Sequence, residues 1–221
     1  MTKETQRKKR IKKILATLHK LFPKPPKTAL YYKKPWQLLV AVILSAQCTD
    51  KKVNEVTKIL FKKYKSLLAI AHAKRSQFEK DIKSTGFYKT KAKNIQTMAQ
   101  KVEDNFGGKI PKSMQELITL PGVARKTANV VLSNAFGIVE GIAVDTHVKR
   151  FTQKFDLSEN KVPEKIEQDL MCITPKGEWS NLSNLLIFYG REICPARKHD
   201  CRNHPLTKIY PKAATVWPKA K

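Results

Sequence analysis

Apolar side chains recur at intervals of three and four residues along most of this sequence, and this spacing limits what the chain can fold into. Val53, Val56 and Leu60 form one such series, and Ile95 and Ala99 belong to another. Residues at this spacing fall on one face of an α-helix, whereas a half-buried strand alternates apolar and polar residues. No segment shows sustained alternation or a hairpin signal between strand-like runs. We therefore predict an all-α protein.

Basic residues greatly outnumber acidic ones, which indicates a polyanionic partner. The 221 residues include 44 Lys and Arg against 18 Asp and Glu, for a formal net charge of +26. A field of this sign favours nucleic acid, which is bound through its phosphates. A membrane surface would also attract such a chain, but the longest strongly apolar run covers only residues 38–46. That run is far shorter than the roughly 20 residues that cross a bilayer, so we expect no membrane association.

The cysteine content and the N-terminus favour an intracellular protein. Four cysteines are too few and too irregularly spaced for a disulfide framework in a chain of this length. The basic N-terminus is not followed by the apolar core of a secretion signal. We expect an intracellular monomer, located in the cytoplasm or on the nucleoid if the source is prokaryotic.

The first helix is predicted to be basic and amphipathic and to lie within residues 1–22. We expect the first ten residues to be a solvated, disordered charge run. The helix is stopped by a group of prolines, Pro23, Pro25 and Pro26.

Turn and capping residues divide the remaining sequence into further helices. Asp50 suits the N-cap of one helix, and Ser113 with Glu116 matches a capping box at the start of another. Pro35 and Pro163 suit the first position of a helix. The other predicted helices cover residues 36–46, 50–64, 66–71, 76–83, 89–106, 146–155, 163–172 and 179–193.

The stretch Leu120-Pro-Gly-Val-Ala-Arg-Lys-Thr-Ala-Asn-Val-Val-Leu132 predicts a tight turn that leads directly into an apolar helix. Pro121-Gly122 is a strong turn signal. A turn of this kind leaves backbone N–H groups unpaired at a helix N-terminus, which suits a phosphate. Lys126 lies in the first turn of the helix, where its amine projects beside the bound group. The alternative is an ordinary packing corner between two helices that carries one more surface lysine.

This stretch resembles the helix-hairpin-helix of the endonuclease III family of DNA glycosylases. Downstream, Ala143-Val-Asp-Thr-His147 resembles the aspartate motif of the same family, and the match extends over nearly the whole chain. The resemblance implies two helical domains with DNA bound in the cleft between them. The central domain would cover residues 28–139, with the hairpin at about 114–136. The second domain would combine residues 1–27 with residues 140–221.

The resemblance also implies the chemistry of a bifunctional DNA glycosylase and abasic-site (AP) lyase. Lys126 would be the nucleophile, whose amine displaces the damaged base at C1′ of the sugar and forms an imine. The imine acidifies the C2′ hydrogen, so that the 3′ phosphate is eliminated. Asp145 would help deprotonate Lys126 and stabilise positive charge on the sugar. The alternative for Asp145 is an ordinary N-cap, and one residue could do both. From His147 and Arg150 we expect structural hydrogen bonds and packing.

Two loops resemble the parts of the family that enter the duplex when a base is flipped out. Gln47, in Ser45-Ala-Gln-Cys-Thr-Asp50, matches the residue that fills the vacated space, and Phe87 matches the residue wedged between bases. The alternative for Gln47 is a polar residue at a helix end, and the alternative for Phe87 is an aromatic residue at the edge of the core. Lys89 and Lys91 suit phosphate contacts near Phe87. The other predicted DNA contacts lie in the hairpin: Gly122, Val123, Ala124, Arg125 and Thr127.

The sequence departs from the family pattern inside the hairpin. Ala124 stands where the family usually has glycine. If the position requires a positive φ, alanine costs roughly 1 kcal/mol, and otherwise it costs nothing. We expect the phosphate-binding turn to survive because it uses backbone groups.

A larger departure lies near the C-terminus. Many members of the family hold a [4Fe–4S] cluster there with four cysteines, and the same spacing in this chain holds Cys194, Cys201, His204 and Tyr210. Two thiolates are too few for four-cysteine ligation, so we expect no cluster and no other cofactor. The alternative is a remnant zinc site of Cys194, Cys201, His204 and His199, which has suitable ligand types.

The predicted function is therefore a bifunctional DNA glycosylase and AP lyase of base excision repair. Its partner would be double-stranded DNA that carries an oxidised pyrimidine or an abasic site. One alternative is a monofunctional glycosylase of the same superfamily for another damaged base, although such relatives generally lack a lysine at the position of Lys126. Another is a non-catalytic DNA-binding protein, which would need neither Lys126 nor Asp145 to clamp phosphate.

Overall fold

The computed structural model describes residues 1–24 and 27–214, and these residues fold into helices. They form twelve α-helices and four short 3₁₀ or π-helical turns, without a β-strand in the described ranges. The all-α prediction is confirmed. Pro25 and Pro26, which were predicted to help stop the first helix, lie outside the described residues. No helix in the described part of the chain is long and apolar enough to cross a bilayer.

The chain divides into two compact units, each with its own hydrophobic core. Residues 28–140 form one of them, which we call the central unit. Residues 1–27 and 141–221 form the other, which we call the terminal unit. The N-terminal helix thus folds together with residues 141–214 of the described chain, as the helical periodicity alone could not show.

The central unit is organised around α2, a helix of ten residues. Four consecutive residues, 38–41, are fully buried. A helix that is apolar on all sides must be covered on all sides, so α2 lies inside the core. The helices of this unit are α2 (Pro35–Leu44), α3 (Asp50–Lys63), α4 (Leu67–Ala71), α5 (Arg75–Ile82), α6 (Tyr88–Phe106), α7 (Met114–Leu117) and α8 (Arg125–Val131), with a 3₁₀ turn at Lys83–Thr85 and a π-helical turn at Leu132–Phe136.

Side-chain caps fix some of the helix starts of the central unit. Ser113 precedes α7, where its Oγ accepts a hydrogen bond from Glu116 N, as the capping box predicts. The Glu116 carboxylate accepts its hydrogen bond from the Ser113 hydroxyl, where a capping box uses the backbone N–H. The predicted cap of α3 is wrong by one residue. Thr49 Oγ1 accepts the N–H of Lys52 at 3.3 Å, and Asp50 is the first helical residue. Asp50 still suits this position, because a negative charge in the first turn favours the helix dipole.

The terminal unit packs the N-terminal helix against helices from the second half of the sequence. Ile14 and Leu18 of the first helix share a core with Phe151 and Leu186. The helices of this unit are α1 (Lys3–Leu21), α9 (Thr146–Lys154), α10 (Pro163–Ile173), α11 (Trp179–Glu192) and α12 (Pro205–Ile209), with 3₁₀ turns at Lys176–Glu178 and Pro211–Ala214.

The expected disorder of the first ten residues is wrong, because α1 begins at Lys3. Thr2 caps it through a hydrogen bond from Thr5 N to its hydroxyl oxygen. Arg7 and Arg10 both donate to Asp156, in the turn that follows α9, with N–O distances of 3.0 and 3.2 Å to its carboxylate. Some basic residues of α1 therefore make specific contacts within the protein. A count of charges could not distinguish them from basic residues that face solvent.

Candidate active site and nucleic-acid interface

The hairpin between α7 and α8 is closed by a tight turn. Val123 N donates to Leu120 O at 3.1 Å, and both side chains are buried. Gly122 has a φ of +78°, and a Cβ added there would lie 3.0 Å from Asn94 Cβ of α6. Glycine is required for two reasons, the left-handed backbone and the close approach to α6. Because Val123 N–H is already paired, this amide does not suit the DNA contact predicted for it.

Ala124 causes no strain in this hairpin. It is the N-cap of α8 with φ −87° and ψ 168°, an extended conformation that alanine adopts freely. Its carbonyl accepts the first helical hydrogen bond, from Ala128 N at 3.0 Å. The amides that precede this bond have no acceptor within the helix, and the methyl group of Ala124 cannot cap them. The turn therefore presents backbone N–H groups beside an uncapped helix start.

Lys126 is exposed in the first turn of α8, while Ala128, Asn129 and Val131 form the buried face of that helix. Arg125 and Thr127, on either side of Lys126, are half-buried. An exposed amine is accessible to a substrate. Only the neutral form of an amine is nucleophilic, so attack requires a base that accepts its proton.

Asp145 is the N-cap of α9, so the capping role is confirmed. Its Oδ1 accepts a hydrogen bond from Val148 N at 2.8 Å, and the residue is half-buried. Within the described residues, its second oxygen, Oδ2, has no hydrogen-bond partner. One carboxylate oxygen thus fixes the side chain against the helix start, and the other remains available for chemistry.

The helix that Asp145 caps is packed unusually closely on α11. A Cβ added to Gly190 of α11 would lie 2.3 Å from His147 Nδ1 and 3.0 Å from Arg150 Nη2. Arg150 also donates to the carbonyls of Cys194 and Pro195, at 2.8 and 3.2 Å. His147 and Arg150 thus make packing contacts and hydrogen bonds within the protein, as the sequence predicts. They hold α9, and with it Asp145, in one position.

The two residues predicted to enter DNA share a rare backbone conformation. Gln47 and Phe87 have φ values of 53° and 47°, and Asp156 is the third such non-glycine residue in the described ranges. Left-handed backbone in residues of this size costs of order 1–3 kcal/mol and often marks functional positions. Gln47 is exposed three residues beyond the end of α2 at Leu44, and the Phe87 side chain is 65% exposed. Phe87 is therefore not an aromatic residue at the edge of the core.

The structure places the two lysines near Phe87 in different surroundings. Lys89 is exposed, so its ammonium is accessible to a phosphate. Lys91 is only 5% exposed, and its Nζ donates to Leu44 O and Thr85 O, both at 2.8 Å. Burial lowers the pKa of Lys91. The phosphate contact predicted for Lys91 does not fit this position, because Lys91 lies on the same helix face as the buried Ile95.

Several known proteins that are similar to this chain are endonucleases III. A family model described as an HhH-GPD superfamily base excision DNA repair protein matches residues 40–176. The endonuclease III of Synechocystis sp. is 48% identical over 213 residues, which cover 96% of this chain and 97% of that protein. The endonuclease III of Bacillus subtilis is 45% identical over 181 residues, with coverage of 81% and 82%. The chain belongs to the endonuclease III family.

Solved structures of this family include complexes with DNA. A non-covalent endonuclease III–DNA complex superposes with a TM-score of 0.88 at 40% identity, over 97% of this chain and 98% of that chain. A trapped covalent endonuclease III–DNA intermediate, with an estranged adenine, gives the same TM-score and identity. Together with the match to the family model, these similarities make this chain a member of a base excision DNA repair family.

The C-terminal region of this family member does not fit a [4Fe–4S] cluster. Of the four positions with the cluster spacing, only Cys194 and Cys201 are cysteines, and the ring of Tyr210 lies under the Arg10 guanidinium at 4.1 Å. Lys154, which is buried, donates to Cys201 Sγ at 3.2 Å. The Cys201 sulfur therefore already accepts a hydrogen bond from a buried side chain of the same unit.

Three zinc-type ligands do come together in the same region. The ligand atoms of Cys194, His199 and His204 all lie within 4.8 Å of one another, and the two imidazole rings stack with centroids 5.0 Å apart. Burial raises the pKa of the Cys194 thiol, although the charges of Lys154 and Arg150 oppose this change. Cys201 is not part of this group, so the four-residue zinc site considered from the sequence is reduced to three ligands among the described residues.

Proposed function

We propose that Lys126 and Asp145 are the catalytic residues of a bifunctional DNA glycosylase and AP lyase of base excision repair. The observation that carries this proposal is that both functional groups are available for reaction. The amine of Lys126 is exposed beside the hairpin turn, and Asp145 keeps one carboxylate oxygen without a partner in the described residues while the other caps α9. A protein that only clamps phosphate would need neither group.

The reaction follows from these two groups. Asp145 accepts a proton from the Lys126 ammonium, and the neutral amine attacks C1′ as the bond from C1′ to the damaged base breaks. Once Asp145 has passed that proton to the departing base, its carboxylate stabilises the positive charge that develops on the sugar. The ring opens to an imine between Lys126 and C1′. Loss of the C2′ proton then expels the 3′ phosphate, and hydrolysis of the imine releases the lysine.

DNA binding would use the hairpin and the two loops of the central unit. The turn at Gly122 and Ala124 offers backbone amides to a phosphate, the half-buried Arg125 and Thr127 follow it in α8, and the exposed Lys89 lies in the first turn of α6. Phe87 would be the wedge between bases, and Gln47 would fill the space left by the flipped base. The exposure of both side chains and the solved DNA complexes of endonuclease III support these roles.

The finer predictions remain part of this proposal. The substrate would be double-stranded DNA with an oxidised pyrimidine or an abasic site, and the enzyme would act as a monomer without a [4Fe–4S] cluster. Its place would be intracellular, where DNA is. The central unit would be the domain that carries the hairpin, and the terminal unit would supply Asp145.

The test is trapping of the imine with borohydride on a duplex that carries one abasic site or one oxidised thymine. We expect wild-type protein and the control Lys58→Ala, an exposed lysine of α3, to form a covalent adduct and to cut the strand. Lys126→Ala should form no adduct while it still binds the DNA. Tight binding by the wild type without any adduct would instead support a monofunctional enzyme or a binding protein.

A further inference from the structure

The ammonium of Lys91 bridges the starts of the two loops that carry Gln47 and Phe87. Its hydrogen bond to Leu44 O reaches the last residue of α2, immediately before the Gln47 loop. Its hydrogen bond to Thr85 O reaches the residue before Gly86-Phe87. Both distances are 2.8 Å, and the side chain is almost completely buried. One amine is thus shared by two segments that are about 40 residues apart in the sequence.

The Phe87 loop is held by Lys91 from both sides. The Lys91 side chain binds the carbonyl that precedes Gly86, and its backbone N–H donates to Phe87 O at 3.0 Å. Thr85 is itself buried and donates through its hydroxyl to Ile82 O. Gly86 and Phe87 both have positive φ, so this segment would relax to other conformations without such anchors.

The Gln47 loop has fewer anchors of its own. Cys48 N donates to Ser45 O at 3.0 Å, which closes a turn with Gln47 in the left-handed region. Ala46, Gln47 and Thr49 are all exposed, so little packing holds them. The carbonyl of Leu44 is the point at which this turn leaves α2, and Lys91 fixes that point.

We propose that Lys91 is a positioning residue that couples the two loops, so that Gln47 and Phe87 enter the duplex together. This inference rests on the proposed function, because it assumes that both side chains enter DNA. It assigns Lys91 no contact with the substrate. The residue acts through two carbonyls, and it sets the separation of the two loops before DNA is bound.

The first test uses the free protein and needs no DNA. Hydrogen exchange is compared between Lys91→Met and the control Lys93→Met, an exposed lysine on the same helix that carries the same charge. We expect the amides of residues 45–48 and 85–88 to exchange about tenfold faster in Lys91→Met, and together, because two buried hydrogen bonds are lost. Acceleration of one loop alone, or equal exchange in the two variants, would overturn the coupling. If Lys91→Met does not fold, Lys91→Gln takes its place with the same two outcomes.

The second test measures binding to a duplex with a tetrahydrofuran abasic-site analogue and to the undamaged duplex. Lys91→Met should reduce the preference for the analogue by about tenfold, but by less than about twofold in a Gln47→Ala/Phe87→Ala background. An equal loss in both backgrounds would overturn the proposal. If the proposed function itself is wrong, the wild type will show no preference for the abasic-site analogue and will form no borohydride adduct. The exchange experiment decides the coupling in either case.

Discussion

Substitution of Asp145 separates its two roles, because only one of them needs a negative charge. The cap is a hydrogen bond of 2.8 Å from Val148 N to Oδ1, and asparagine offers the same oxygen. Asp145→Asn should therefore change the free energy of unfolding by less than about 0.5 kcal/mol. Asp145→Ala removes the acceptor and should cost about 1 kcal/mol, which lowers the melting temperature by roughly 2–4 °C in a protein of this size.

The two variants should lose activity together although they differ in stability. A positioned base typically contributes 10²–10⁴-fold, so both should slow base removal from an oxidised-thymine duplex by about 10²-fold or more. The assay is a single-turnover measurement of base release, with thermal melting of the same samples. If Asp145→Asn keeps the wild-type rate while Asp145→Ala loses it, the residue serves only as a cap and the catalytic assignment is refuted.

Three further predictions follow from the packing, the charge and the C-terminal region. Gly190→Ala should lower the free energy of unfolding by about 1–3 kcal/mol, because its Cβ would lie 2.3 Å from His147 Nδ1. The control in thermal melts is Gly177→Ala, because a Cβ there has no atom within 4 Å. Equal melting temperatures of the two variants would contradict the close packing at Gly190. Affinity for duplex DNA should fall steeply with salt as phosphate contacts release counterions, and a flat dependence would count against these contacts. Metal analysis of purified protein should find no stoichiometric iron; stoichiometric zinc that is lost with His204→Ala would assign the metal to the Cys194, His199 and His204 group.

Helical periodicity was sufficient to predict the positions of most helices. The series that ends at Phe106 predicts a helix from Lys89, and α6 begins one residue earlier, at Tyr88. Local capping chemistry, as at Ser113, added the starts of individual helices. These signals work because they depend on residues that are neighbours in the sequence.

The features that the sequence did not reveal depend on distant contacts. Lys91 was interpreted as a surface lysine, although it falls four residues before Ile95 on the buried face of α6. The spacing was a usable signal, but its carbonyl partners, Leu44 and Thr85, come from other segments. The order of the first ten residues likewise depends on Asp156, which is more than 140 positions away.

The sequence predicted which residues form the candidate site, but it did not predict their hydrogen-bond partners or their backbone conformations. Nothing in the sequence shows that Asp145 keeps one oxygen without a partner in the described chain, or that Gln47 and Phe87 both have left-handed backbone. Whether alanine is strained at position 124 could also be decided only from the backbone conformation. Its φ of −87° shows that alanine has no conformational cost there.

The central claim is that the Lys126 amine forms the covalent bond to the sugar. It is tested most directly by mapping the borohydride-trapped adduct, with chymotryptic digestion and fragmentation mass spectrometry to locate the modified residue. The mass of the reduced sugar fragment should be found on Lys126. A fragment attached to another amine, such as Lys93 or the N-terminus, would contradict the account even if the protein cuts DNA.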